Sequence, residues 1–165
     1  MTNKFTLISR NERETDSFGL SFAECIDAGV VIALNGELGS GKTRFVRSLC
    51  AGLGIDTLQV TSPTFVILQL YTDGRVPVAH FDTYRLADPD EFLAIGADEY
   101  VDSPDWLCLI EWADRVIDVL PADRLEINLF QTAETCREFT LAATGVRSLE
   151  VLEKLQRCEG LRNGR

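Results

Sequence analysis

The clearest candidate for chemistry is an eight-residue stretch that reads G-x-x-x-x-G-K-T, from Gly36 to Thr43. Its glycines let the backbone turn so tightly that successive N–H groups point into one concavity. Lys42 adds a positive charge for the outer phosphates of a nucleotide, and the Thr43 hydroxyl suits Mg²⁺. The alternative is a chance match on a glycine turn. The pattern predicts a nucleotide phosphate site whose contacts are Glu37, Leu38, Gly39, Ser40, Gly41, Lys42 and Thr43.

The residues on either side of this stretch predict the elements that must position it. Residues 30–34 are a continuous apolar run of strand length, and Phe45, Val46 and Leu49 recur at helical spacing. A helix that begins near Lys42 presents its unpaired N–H groups and its positive dipole end to the loop. The order of strand, glycine loop and helix therefore favours the phosphate-site reading over a chance match.

A second candidate is the acid that ends a buried strand. Residues 106–110 are all apolar and predict a parallel strand, and Glu111 follows them directly. Ligands of open α/β sheets bind outside the carboxyl ends of the strands. Glu111 is thus placed to hold Mg²⁺, directly or through water, opposite Thr43. The alternative is an acid that merely begins a surface loop.

A third candidate is the polar cluster HFDTYRL at residues 80–86, which closes another predicted strand. Asp82 and Glu111 are the two acids at strand ends, so one could hold the metal and the other could orient the attacking water. Both assignments stay open here, and a cap or turn role is the alternative for Asp82. His80 is more often a packed, hydrogen-bonded histidine than a catalyst. Arg85 could contact phosphate or pair with neighbouring acids.

The rest of the pattern alternates strands with helices. The predicted strands lie at residues 4–8, at 124–130 with a hairpin partner at 138–142, and in an antiparallel hairpin at 65–81. The predicted helices follow a capping box at residues 9–12, start at Asp88, and cover 114–120 and 147–157. The start of the first helix would lie near the nucleotide if the first strand sits beside the strand at 30–34.

Composition limits the function classes. The 165 residues suit one domain, which we place at 1–158 with 159–165 as a frayed basic tail. The formal net charge of −10 disfavours direct nucleic-acid binding, because phosphate contacts provide most of that affinity. No apolar segment reaches the ~18 residues of a membrane span, and the N-terminus lacks a signal-peptide layout. The five cysteines have no C-x-x-C spacing, and with one histidine a Cys/His metal site is not expected. We expect free thiols and a cytoplasmic protein.

Four motifs together resemble the bacterial TsaE family, also called YjeE. They are GELGSGKT at 36–43, VTSPTF at 60–65, HFDTYRL at 80–86 and LIEW at 109–112. Members of this family are small P-loop ATPases needed to make threonylcarbamoyladenosine in tRNA. The resemblance covers residues 5 to 130, and Ala113 stands where many members have proline.

The resemblance implies an α/β fold, a P-loop NTPase-like three-layer sandwich with a mixed, largely parallel sheet. It also implies ATP and Mg²⁺ as cofactors and a complex with two partners, TsaB and TsaD. TsaD performs the carbamoyl transfer to tRNA, so this chain would contact tRNA only indirectly. The ATPase would reset or sustain that machine between rounds.

The same resemblance assigns roles to individual residues. By motif match Lys42 holds the phosphates, and Thr43 and Glu111 are the Mg²⁺ ligands. Asp82 stands in the second acidic motif, where it orients water or supports the metal. Trp112 lies against the active site. A switch-like segment near the γ-phosphate matches Thr61, Ser62 and Thr64, for which a turn fixed by Pro63 is the alternative.

Two other functions use the same loop. A small-molecule kinase would pass the phosphate to a substrate hydroxyl, but many such kinases have an arginine-rich lid. Between Tyr84 and Trp106 the sequence has only Arg85 as a basic residue, which disfavours that reading. A nucleotide-dependent switch would bind partners and hardly hydrolyse, with residues 98–105 and 65–81 as contact surfaces. Slow turnover without partners is also expected, since no arginine finger is evident.

Overall fold

The chain folds around a seven-stranded sheet, seen in a computed structural model that describes residues 3–61 and 66–163. In chain order the strands are β1 (Lys4–Ser9), β2 (Val30–Asn35), β3 (Leu68–Tyr71), β4 (Val78–Asp82), β5 (Leu107–Glu111), β6 (Leu125–Gln131) and β7 (Arg137–Ala143). Their order across the sheet is β1-β7-β6-β2-β5-β4-β3. The strand that precedes the glycine loop, β2, therefore lies at the centre.

The sheet is mixed, with a parallel centre and antiparallel flanks. Strands β6, β2, β5 and β4 run parallel, with β2 paired to both β5 and β6 and with β4 paired to β5. Antiparallel hairpins extend both sides, β3 on β4 and β7 on β6, and β1 then pairs with β7. The predicted hairpins are confirmed, although the strand β3 begins at Leu68 and residue 65, where the first hairpin was predicted to start, lies outside the described residues. Side chains alternate between the two faces of the sheet along every strand, and this alternation fixes the face that each site residue occupies.

Helices cover both faces of the sheet. They are α1 (Glu12–Glu24), α2 (Lys42–Gly52), α3 (Pro89–Ala94), α4 (Asp98–Val101) and α5 (Val146–Asn163), with 3₁₀ helices at Thr57–Gln59 and Ala113–Val119. One core contains Ile32 and Leu34 of β2 and joins the sheet to α1, α2 and α5. The other contains Val31 and Ala33 and joins it to α3, α4 and the second 3₁₀ helix. The predicted three-layer α/β fold is confirmed.

An aromatic cluster locks α1 and α2 onto the sheet. The rings of Phe18, Phe22, Phe45 and Phe139 contact one another at centroid separations of 5.1 to 5.9 Å, and all four are buried. Edge-to-face contacts at these distances stabilise a core beyond the area that they bury. The cluster fixes the start of α2, and therefore the glycine loop, against the sheet. None of the helices within 3–61 and 66–163 meets the length and apolarity that a membrane crossing needs.

The first helix begins at a different cap from the predicted one. The capping box was expected at Ser9 and Glu12, but Ser9 belongs to β1, and its hydroxyl donates to the carbonyl of Asn11 at 2.8 Å. Asn11 is the N-cap: its side chain accepts from the Glu14 amide at 3.0 Å, while the Glu14 carboxylate accepts from the Arg10 amide at 2.7 Å. The cap therefore lies two residues later than predicted, and its return bond comes from the amide of Arg10, one residue before the N-cap.

Two further helix predictions need correction. The helix expected over residues 114–120 is a 3₁₀ helix, and it ends before Pro121 as predicted. The last helix runs to Asn163, so residues 159–163, predicted as part of a frayed tail, are helical. Val151, Leu152 and Leu155 anchor this helix in the core, and each further residue of an anchored helix adds one hydrogen bond.

Candidate functional site

The glycine loop occupies the turn between the end of β2 and the start of α2. The Ser40 amide donates to the Glu37 carbonyl at 3.1 Å, which closes the turn. Gly41 precedes α2 with φ of 104°, a left-handed backbone conformation that residues other than glycine rarely adopt. The N-cap residue, Gly41, has no side chain that could accept from the first amides of this helix. Its first amides can therefore bind an anion, as the sequence predicts.

The start of the loop packs tightly against β6. A Cβ atom on Gly36 would lie 2.6 Å from the Ser40 hydroxyl and 2.8 Å from the backbone oxygen of Leu129. Because one of these neighbours is backbone, it cannot swing away. Gly36 is thus needed for the close approach of the loop to the neighbouring strand.

Lys42 is folded back onto the loop that it follows. Its side chain is buried, and its ammonium donates to the carbonyl of Gly36 and, at 3.0 Å, to that of Glu37. The same ammonium lies 4.2 Å from the ring centroid of Trp112, a cation–π contact. Burial lowers the pKa of Lys42, and the charges of nearby acids, Glu111 foremost, oppose that shift. The ammonium is held beside the cleft by groups that a phosphate could replace.

Thr43 and Glu111 meet as predicted. The Thr43 hydroxyl donates to Oε1 of Glu111 at 2.8 Å, and the carboxylate is almost fully buried. Alternation along β5 turns Glu111 to the same face as Leu107 and Leu109, which is the face that α2 covers. The strand-end acid is therefore not a surface-loop residue.

Asp82 lies next to Glu111 in the sheet. The two residues are register partners across β4 and β5, and both are buried and line the same cleft. One oxygen of Asp82 accepts from the Tyr84 amide at 2.9 Å, so the turn role considered for Asp82 is real. It coexists with a position in the cleft beside Glu111.

Trp112 covers the cleft from the turn that follows β5. Its backbone has φ of 59°, an uncommon conformation for a bulky residue. The Thr83 hydroxyl holds this turn by donating to the Trp112 carbonyl at 2.6 Å. The Tyr84 ring packs on the Trp112 ring with 4.8 Å between centroids, and the Arg115 guanidinium lies 5.0 Å from the Tyr84 ring. A stack of rings and cations therefore bounds one side of the site.

The cleft continues beyond the predicted residues. It has a volume of about 480 Å³ and is lined by Lys42, Thr43, Asp82 and Glu111 together with a second wall. That wall was not predicted; its members are Glu12, Thr15, Arg44, Glu134, Thr135 and Arg137. The strand β1 is at the far edge of the sheet, not beside β2, yet the start of α1 still reaches the cleft.

Arg137 is the most informative residue that the sequence did not single out. Its Nε atom donates to the Ser40 carbonyl at 3.0 Å, and its Nη2 atom lies 3.4 Å from the Gly39 carbonyl. It begins β7, beyond the last motif, so no spacing connected it to the loop. Tyr84, in contrast, lies inside the HFDTYRL motif, so the sequence does mark its position.

The remaining predicted residues divide into several groups. Leu38, Gly39 and Gly41 line the cleft, and Leu38 is 88 % exposed. Glu37 and Ser40 instead line a neighbouring groove of about 710 Å³ between the loop, Trp112 and the end of β6. Thr61 is exposed and lines neither cavity, as is also true of Arg85. Ser62, Pro63 and Thr64 lie outside the described residues.

The donor set near Thr43 is that of a hard cation. Residues 3–61 and 66–163 contain no group of three or more His, Cys, Asp or Glu side chains that could hold a metal by themselves. Mg²⁺ is usually bound through one or two carboxylates together with phosphates and water. The hydroxyl of Thr43 and the carboxylate of Glu111 fit that requirement, provided that a nucleotide completes the set.

Comparisons with known proteins identify the family. The model of the family described as "Threonylcarbamoyl adenosine biosynthesis protein TsaE" matches residues 9–139. The chain belongs to the TsaE family. It is 39 % identical over 153 residues to the TsaE protein of Bacillus subtilis, which covers 93 % of this chain and 94 % of that one. It is 41 % identical over 135 residues to TsaE of Treponema pallidum, with 82 % and 98 % covered.

A solved structure supports the same relationship. The crystal structure of Bacillus subtilis YdiB superimposes with a TM-score of 0.80 at 33 % identity, covering 96 % of this chain and 98 % of that chain. The TsaE match begins at Ser9 and ends at Phe139, so it includes the loop, Asp82, Glu111 and also Arg137. The helix α5 lies beyond it. TsaE membership makes this chain a protein of tRNA threonylcarbamoyladenosine biosynthesis.

Proposed function

We propose that this protein binds Mg-ATP at the glycine loop and hydrolyses it within the threonylcarbamoyladenosine machinery. The observation that carries the proposal is the 2.8 Å contact between Thr43 and the buried Glu111 carboxylate, directly beside an uncapped helix start. A hydroxyl, a carboxylate and a row of free amides at one point are what a magnesium-bound triphosphate needs.

The loop and Lys42 bind the phosphates. The amides at the start of α2 bind the phosphate oxygens through hydrogen bonds and the helix dipole. The Lys42 ammonium leaves the carbonyls of Gly36 and Glu37 and contacts the outer phosphates. Arg137 keeps the loop in shape, because its guanidinium is already bound to the carbonyls of Ser40 and Gly39.

Thr43 and Glu111 would hold the Mg²⁺, which would supply neutralisation of charge on the phosphate oxygens. Asp82 is left to orient the attacking water, since it lies beside Glu111 at the same edge of the sheet and lines the same cleft. Water attacks the γ-phosphorus while the bond to the β,γ-bridging oxygen breaks, and the water proton goes to solvent or to Asp82. Trp112 and Tyr84 exclude bulk water from one side.

The cleft beyond the loop fits the rest of a nucleotide. Its second wall, at the start of α1 and in the hairpin between β6 and β7, would offer the remaining surface for a ribose and base. We propose ATP rather than GTP from the family relationship, because the sequence contains no guanine-reading N-K-x-D motif.

A phosphate-release assay on the purified protein tests the hydrolysis. We expect Mg²⁺-dependent release of phosphate from ATP with no added acceptor. Thr43→Val and Glu111→Gln should each reduce it by about 10²-fold or more. Asp105→Asn is the matched control, because it alters an exposed acid near the opposite end of β5 and should leave the rate unchanged.

The alternatives give different results in the same assay. Transfer of the phosphate to an added hydroxyl compound, with no release in its absence, would point to a small-molecule kinase. Tight Mg-ATP binding with no turnover, alone or with partners, would point to a binding switch. Equal release by wild type and by Glu111→Gln would contradict the proposed metal site.

The partners are proposed to be TsaB-like and TsaD-like proteins, with tRNA reached only through them. The net charge of −10 favours that arrangement over direct contact with RNA. We propose a cytoplasmic location with that machinery. Co-purification with both candidate partners, with and without ATP, tests the proposed complex. Retention of neither partner under either condition would contradict the proposed complex.

A further inference from the structure

A buried hydrogen-bonded chain continues behind Glu111. His80 is 0 % exposed, and its Nε2 atom lies 2.6 Å from Oε2 of Glu111. Its Nδ1 atom lies 3.2 Å from the hydroxyl of Tyr71, which in turn lies 2.7 Å from Oε1 of Gln69. The chain thus connects the edge hairpin, β3 and β4, to the acid that faces the glycine loop.

The proton arrangement at Glu111 follows from the groups involved. A carboxylate offers only lone pairs, so Nε2 of His80 must carry the proton that forms the 2.6 Å contact. The other carboxylate oxygen accepts from Thr43 at 2.8 Å. The two oxygens of Glu111 therefore have different partners, one fixed in the core and one at the cleft.

We propose that His80, supported by Tyr71, is a positioning residue that fixes the Glu111 carboxylate so that its cleft-facing oxygen can bind a divalent cation. This inference rests on the proposed function for the cation itself. It assigns to His80 the role that hydrogen-bond partners of ligating carboxylates commonly have, where their loss lowers metal affinity by about 10- to 100-fold.

Sheet geometry explains why His80 is the residue in this place. Val78, His80 and Asp82 alternate onto one face of β4, and β5 turns Glu111 to that same face. An imidazole buried there without partners would destabilise the fold. Both ring nitrogens have partners, and Tyr71 is itself buried. The arrangement constrains the ring at both ends, which is more than filling the core requires.

A packing role and a positioning role predict different measurements. If His80 only fills space, replacing it changes stability and leaves the metal requirement unaltered. If it positions Glu111, the magnesium requirement changes while nucleotide binding without metal does not. Phe81→Leu is the matched control, because Phe81 is equally buried on the same strand but faces the opposite core.

The test measures binding of a non-hydrolysable ATP analogue, first in EDTA and then during a Mg²⁺ titration. We expect His80→Leu to raise the half-saturating Mg²⁺ concentration about 10-fold or more, with the affinity in EDTA unchanged. His80→Gln, which keeps a donor, should restore part of the loss, and Tyr71→Phe should show a smaller rise. A wild-type Mg²⁺ requirement in His80→Leu, or the same rise in Phe81→Leu, would overturn the inference.

A measurement on the protein without ligand covers the case in which His80→Leu does not fold. The chain contains one histidine, so its imidazole gives one unambiguous set of ¹⁵N NMR signals. We expect a slowly exchanging Nε2 proton that shifts in Glu111→Gln. An Nε2 proton that exchanges freely and ignores that change would contradict the contact. Wild-type protein with this signal but without Mg²⁺-dependent binding would instead contradict the proposed function and leave His80 in a structural role.

Discussion

Lys42 and Glu111 carry the opposite charges of one cleft, and the protein holds them in different ways. Lys42 is attached to two backbone carbonyls and to the face of Trp112. Glu111 is attached to His80 in the core and to Thr43. The partners of Lys42 are carbonyls of the glycine loop and the half-buried ring of Trp112. The His80 partner of Glu111 is fully buried.

This difference indicates which group moves when a nucleotide binds. A cation–π contact at a partly exposed site is worth about 0.5–1 kcal/mol, and phosphate oxygens can replace the carbonyls around an ammonium. Leaving Nε2 of His80 without an acceptor would cost about 1–3 kcal/mol. We therefore expect Lys42 to reorient toward the phosphates, while Glu111 stays in place.

The largest expected effect comes from removing the mobile charge. Lys42→Met keeps much of the side-chain length but removes the ammonium, so kcat/KM for ATP should fall by about 10²–10³-fold. Stability should not fall. Burial lowers the pKa of Lys42, so the folded state disfavours the charged form relative to the unfolded chain.

Steady-state kinetics and thermal unfolding measure both parts of that prediction, with Lys154→Met as the control. Lys154 is half-exposed on α5, far along the chain from the loop, so its loss should leave the rate unchanged. Wild-type activity in Lys42→Met, or melting ~5 °C or more below wild type, would contradict the proposal that Lys42 is a mobile group that binds phosphate.

A spectroscopic change of intermediate size should report the movement of Lys42. The chain has two tryptophans. In Trp106→Phe the remaining Trp112 should change its emission when Mg-ATP is added, because the ammonium leaves its ring. In Trp112→Phe the remaining Trp106 should change little, since it packs on Tyr100 at the other end of β5. Fluorescence titrations with Mg-ATP up to saturation measure the emission change of each variant. Unchanged Trp112 emission would contradict the proposed reorientation of Lys42.

The fixed half of the site was the more predictable from sequence. Glu111 follows an apolar run and Asp82 ends another predicted strand, and the carboxyl ends of parallel strands meet at one edge of a sheet. Their proximity to Thr43 follows from that rule and from the glycine loop. The hydrogen bond between His80 and Glu111 could not be predicted from the sequence. It depends on the register of β4 against β5 and on the face of the sheet that each residue occupies.

Residues that reach the cleft from distant parts of the chain were not predictable. Arg137 binds the loop through backbone carbonyls, which every residue has, so no residue pattern marks its target. Glu12 and Thr15 line the cleft although β1 lies at the far edge of the sheet, an order that local periodicity does not encode. The cap at Asn11 was missed because Ser9 and Asn11 both suit an N-cap, and pairing of β1 with β7 decided between them.

The smallest expected effect concerns a charge pair that holds the wall of the cleft rather than its centre. Asp16 binds Arg44 through two contacts, Oδ1 to Nε at 2.9 Å and Oδ2 to Nη2 at 2.7 Å, and it accepts from Ser48 at 2.8 Å. Burial favours the neutral form of Asp16, but the hydrogen bonds from Arg44 and Ser48 outweigh it, so the pKa lies below 3.8.

A carboxyl whose pKa is lowered by folding stabilises the folded state above its unfolded pKa, and that contribution disappears as the pH falls through the folded value. Asp16→Asn should therefore lower the free energy of unfolding at pH 7 by about 1 kcal/mol or less, since both side chains are more than a third exposed. The difference from wild type should shrink below pH 4. Denaturant unfolding at several pH values measures it, with Asp118→Asn on the opposite face as the control. If the difference in the free energy of unfolding stayed constant down to pH 2, the Asp16–Arg44 pair would act through packing. Its charge would then have no part in holding α1 against α2.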